Sequence, residues 1–63
     1  MRKFVLENDT LEETVVLYVY EDKVTIRCLG KEYYFNEEWD TTVEKARDTY
    51  RSLLNEGYAL LNN

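Results

Sequence analysis

An α+β fold is what this sequence predicts: a three- to four-stranded antiparallel meander with one C-terminal helix packed on one face. Residues 14–20 are dense in β-branched and aromatic side chains, which fit the pleated surface of a strand. Residues 41–57 place Val43, Ala46, Tyr50, Leu53 and Leu54 at the spacings that gather apolar groups on one side of a helix. The chain has no proline, and its two glycines both fall at boundaries between these patterns. One domain, residues 1–63, follows.

Taken in order, residues 2–7 contain Phe4-Val5-Leu6 and predict a short strand, and Asn8-Asp9-Thr10 can turn the chain by bonding to its own backbone. Residues 14–20, Thr-Val-Val-Leu-Tyr-Val-Tyr, predict the central strand. Glu21-Asp22-Lys23 breaks it. The alternation of residues 24–29 predicts a strand with one face buried and one wet. Gly30-Lys31 fits a two-residue type II′ turn into a further strand at 32–35, with 36–40 as the link to the helix. Thr41 and Glu44 have the spacing of a capping box. Gly57 suits the left-handed residue that ends a helix, with Tyr58 folding back on Leu53. The tail from Tyr58 adds at most a few extended residues.

Directly opposed residues share a face, so the turn length assigns the sides of the sheet. A two-residue turn at Gly30-Lys31 sets Leu29 opposite Glu32, Cys28 opposite Tyr33, Arg27 opposite Tyr34 and Ile26 opposite Phe35. An even loop before Val24 adds Val15, Leu17 and Val19 to the side of Ile26 and Cys28, which becomes the core. An odd loop would exchange the faces of the first hairpin, and the even one is expected because it gathers the aliphatic residues on one side. The other side carries Val16, Tyr18, Thr25, Arg27 and Tyr34, with Tyr20 at its rim. One helix covers only one side of a sheet. Tyrosine and arginine are favoured at interface centres, so Val16, Tyr18, Tyr20, Arg27 and Tyr34 are the candidate binding residues. Trp39, just before the helix, is expected to close the edge of the core.

Composition excludes more than it selects. Thirteen acids against eight bases give a formal charge of −5, which disfavours direct contact with nucleic acid or anionic membranes. No apolar run approaches the roughly 20 residues of a membrane span, and no secretory signal opens the chain, so a cytoplasmic location is expected. With no histidine and the single Cys28, neither a disulfide nor a nitrogen- and sulfur-ligated metal site can be assembled, and a nucleophile lacks its usual base. No cofactor, metal or catalytic residue is assigned. A chain this short buries only about 60% of its unfolded surface, which makes a supporting partner useful.

The last third carries a resemblance. Trp39, followed by Glu44-x-Ala46-Arg47-x-x-Tyr50-Arg51-x-Leu53-Leu54-x-x-Gly57-Tyr58, resembles the tail of small uncharacterised proteins of cyanobacteria and their phages. It is also similar to the helix closing WGR domains of DNA-repair polymerases, although the Trp-Gly-Arg signature is not present. The first resemblance implies no activity, so no functional residue carries over. The expectation is a small acidic protein-binding module that is not an enzyme and meets a protein partner or a second copy of itself through the open sheet face or an edge strand. The alternative is a phage-type inhibitor or nucleic-acid mimic that engages a basic groove through two acidic segments: Glu7, Asp9, Glu12, Glu13, Glu21 and Asp22, then Glu32, Glu37, Glu38, Asp40 and Glu44.

Overall fold

The computed structural model describes residues 1–30 and 36–61. They form β1 (Arg2–Asn8), β2 (Glu13–Val19), β3 (Val24–Gly30), β4 (Asn36–Thr41), α1 (Val43–Asn55) and β5 (Ala59–Leu60). The five strands make one antiparallel sheet in the order β4-β3-β2-β1-β5, so the meander gains a short fifth strand beyond the three or four expected. As predicted, the strand rich in valine and tyrosine is central.

The β2–β3 hairpin closes at Val19 and Val24 over an even, four-residue turn, which puts Val15, Leu17, Val19, Val24, Ile26 and Cys28 on one side as expected. Leu6, Val15, Leu17, Val24 and Ile26 join Ala46 of the helix and Tyr58 in the buried core. Cys28 lies on this side but is only half-buried, and its cross-strand neighbours are Val15 and Glu37, not Tyr33. Burial first, then the nearby Glu37 and Glu13 carboxylates, push its thiol above the ordinary value.

The fourth strand is where the expectation fails. Leu29 pairs with Asn36, Cys28 with Glu37, Arg27 with Glu38 and Ile26 with Trp39, so Leu29 does not face Glu32 as expected, Gly30 is the last residue of β3, and residues 36–40 are strand, not link. The strand expected at 32–35 lies outside the described residues. Asn-Glu-Glu-Trp-Asp-Thr has poor strand propensity. It forms one as an edge, where charged side chains are tolerated and guard against unwanted pairing.

The helix begins one residue later than its sequence signal. Thr42, not Thr41, is the N-cap, accepting a hydrogen bond from the Lys45 backbone N–H at 3.2 Å, and Thr41 closes β4. The third helical residue is therefore Lys45, and Glu44 cannot complete a capping box. The carboxyl end follows prediction. Gly57 has φ +100°, the Tyr58 N–H donates to the Leu53 carbonyl at 3.0 Å, and the Gly57 N–H donates to that of Leu54 at 3.3 Å, which completes a Schellman motif.

The helix leaves β4 at one edge of the sheet and delivers the chain to β5 at the other. Its 13 residues, at a rise of about 1.5 Å each, match the width of five strands spaced about 4.8 Å apart. The crossing is diagonal, because β4 ends beside Val24 and β5 starts beside Glu7, at opposite ends of the strands. A diagonal rod cannot cover two corners of a rectangle. On the β4 edge, Trp39 faces the helix side opposite Ile26 yet stays 42% exposed, so it does not close the core edge as expected. Leu54, placed on the apolar stripe from sequence, is also 42% exposed. Toward the end of the sheet that holds Arg2, Val19 and Val24, the helix leaves an apolar cleft floored by Phe4, Leu17, Val19 and Val24.

Candidate functional site

The side of the sheet opposite α1 is built in rows. Lys3, Tyr18, Thr25 and Asp40 stand across β1 to β4 in one row, and Val5, Val16, Arg27 and Glu38 in the next. Glu7, Thr14 and Leu29 form the third across β1 to β3. Val16, Tyr18 and Arg27 are thereby brought together as the parity of the turns predicts. Tyr20 is the residue after β2 and stays exposed at the rim, its backbone N–H donating to the Lys23 carbonyl at 2.9 Å. Tyr34 lies outside the described residues.

Val16 is only 7% exposed although it does not belong to the core beneath the helix. Register flanks it with Val5 and Arg27, with Tyr18 and Thr14 next along its own strand side. The centre of the open face is therefore apolar and closely packed, with no helix over it among the described residues. Tyr18, Arg27 and Leu29 are half-buried around this centre. Sequence patterning did not single out Val5 and Leu29. Their signal is parity with Val16 and Arg27, which requires the register of β1 and of the β2–β3 pair.

Polar bonds hold one rim of the face in place. The Thr25 hydroxyl donates to Asp40 at 2.7 Å and the Lys23 ammonium to the other Asp40 oxygen at 3.2 Å. These two bonds, Thr25 first, hold the Asp40 carboxyl below the usual carboxylate range, and Asp40 raises Lys23. The same ammonium sits 5.7 Å from the Tyr20 ring centroid. By contrast, the Arg27 guanidinium has no ion-pair partner among the described residues, despite Glu38 on the neighbouring strand. It is the cation at the centre of this face, in the row of Val5 and Val16.

The acids do not gather into one surface. Glu7, Asp9 and Glu12 line a hollow with Thr14 at the β1–β2 turn, where a hydrogen bond with Asp9 and its charge raise the Glu7 carboxyl. Glu21 and Asp22 lie in the β2–β3 turn, at the other end of the sheet. Glu13 accepts from the Tyr58 hydroxyl at 2.6 Å, and Asp40 is engaged as above. Among the described residues no group of acidic or thiol side chains is arranged to hold a metal ion. No described helix is long and apolar enough to cross a membrane.

Compared with protein-family models, with curated proteins and with solved structures, the chain finds no match in any.

Proposed function

We propose that this chain is a non-catalytic protein-binding module whose contact surface is the open sheet face centred on Val16, Tyr18 and Arg27, with Tyr20 at the rim. The observation that carries the reading is an apolar centre, Val5 and Val16, packed on a side that no described helix or strand covers. Beside it stand a half-buried tyrosine and an arginine without a carboxylate partner among the described residues. An aliphatic centre rimmed by aromatic and guanidinium groups is the arrangement from which interface hot spots are built. The partner is another protein chain, a second copy included, that presents an apolar patch with a carboxylate for Arg27.

The face is favoured over the edges on physical grounds. The outer edge of β4 carries Glu37, Glu38 and Asp40, and β5 offers two residues, so neither is an inviting template for a new strand. The phosphate-mimic reading draws less support, because its first acidic segment is divided between opposite ends of the sheet and two of its carboxylates serve internal bonds. For catalysis, the chain has no histidine, and burial pushes its one thiol above the ordinary value, away from the reactive thiolate.

The test is partner capture from the native host with the parent, Tyr18→Ala and Arg27→Ala, beside thermal melts and sedimentation of each. Each substitution should weaken the complex by about 2 kcal/mol or more while moving folding stability by only about 0.5 kcal/mol. Parent-like binding by both variants would remove the open face from the interface.

A further inference from the structure

On the opposite side, independent of the reading above, lies the corner of the sheet that α1 leaves uncovered. Its cleft has a volume of about 350 Å³. Phe4, Val19 and Val24 contribute its floor, and Val43 and Tyr50 belong to the helix wall. Tyr50 meets Phe4 edge-on, with ring centroids 6.3 Å apart. That volume is within the range of about 300 to 1,000 Å³ in which small-molecule sites fall.

The charged side chain that lines the cleft, Arg47, is opposite in sign to the net charge of the protein. The Arg2 guanidinium carbon lies over the Phe4 ring at 5.1 Å from the centroid. In a chain of net charge −5 each of these cations could find a carboxylate, yet among the described residues neither forms an ion pair. One guanidinium thus lines the apolar cavity and a second lies over the ring of Phe4 on its floor, neither of them ion-paired among the described residues. A guanidinium binds a carboxylate through paired N–H donors, and close to an apolar wall that bond is strengthened.

We propose that this corner is a binding site for a small amphipathic carboxylate: one apolar tail or ring seated against Phe4, Val19 and Val43, with its carboxylate held by Arg47 and Arg2. Decanoate, kept below its micelle concentration, is a suitable probe. Titrated into the protein and followed by amide shifts, it should saturate at one equivalent and move the signals of Phe4, Val19, Val43 and Arg47 before any others. Decanol should bind about tenfold more weakly, the equivalent of one charge-assisted contact. Arg47→Gln, at an exposed position, and separately Arg2→Gln should each narrow that gap without changing the melting temperature appreciably. Equal binding of acid and alcohol to the parent, shifts centred on the open sheet face, or no saturation by decanoate would each overturn the assignment.

Discussion

The two ends of α1 meet the sheet in opposite ways. At the carboxyl end, the buried Asn8 side chain donates to the Glu56 carbonyl at 3.2 Å while accepting from the Leu11 N–H at 3.1 Å, so one amide ties the β1–β2 turn to the helix terminus. The Schellman bonds then fold Tyr58 into the core, where its hydroxyl reaches Glu13. At the amino end, the Thr42 cap satisfies the helix itself and Val43 remains 38% exposed above the cleft. Directed polar bonds close one corner, and the geometry of a straight helix leaves the other open. In a small domain such an asymmetry separates the part that secures the fold from the part free to bind.

The comparison is most strongly challenged at Tyr58. Tyr58→Ala removes a buried ring from the closed corner and should destabilise the protein by about 3 to 5 kcal/mol, enough to unfold much of a chain of this size at ordinary temperature. Urea melts measure this directly. A loss below about 1 kcal/mol would mean that the closed corner does not secure the fold.

Asn8→Ala should come next, at about 1 to 3 kcal/mol, since both the Glu56 carbonyl and the Leu11 N–H lose their partner. Amide exchange should quicken at the β1–β2 turn and the last helical turn together. Acceleration at only one of them would show that Asn8 does not couple the two.

A smaller effect is expected in alkali. Burial, and then the bond to Glu13, raise the Tyr58 phenol well above its ordinary value. The folded chain therefore holds a proton that the unfolded chain releases above about pH 10, so this contribution is complete below that pH and is lost as pH rises beyond it. Tyr58→Phe, which costs about 1 kcal/mol near neutrality through the lost hydrogen bond, should lose stability less steeply than the parent above about pH 10. Parallel curves would place the alkaline sensitivity elsewhere. Least of all, Val43→Ser at the open corner should shift stability by no more than about 0.5 kcal/mol. A loss of several times that would show that the cleft is part of the core.

Much of the candidate surface was legible because it depends on short-range rules. Alternation in β2 and β3 and an even turn between them suffice to place Val16, Tyr18 and Arg27 together. Val5 and Leu29 escaped notice because their relation to Val16 and Arg27 appears only when β1 is paired in register and the open face is counted across strands. Trp39 misled for the same reason in reverse. Its parity with Ile26 is that of a core residue, but the helix crosses elsewhere.

The sequence alone determined the α+β class, the helix and its Schellman end and the Asn8 turn, and it favoured the two sides of the β2–β3 hairpin through the even turn that gathers the aliphatic residues. Each is a preference of a few neighbouring residues: a periodicity, a side chain that bonds its own backbone, a glycine that accepts a positive φ. Tertiary structure decided that the acidic run 36–41 becomes the β4 edge, that residues 59–60 pair with β1, and that α1 lies diagonally between these edges. Those choices turn on which distant strand offers unpaired backbone groups and on whether a helix of this length can reach from edge to edge. Such constraints couple residues across the whole chain, so neither the pairing of β4 nor the uncovered corner under Val43 could be read from any local stretch.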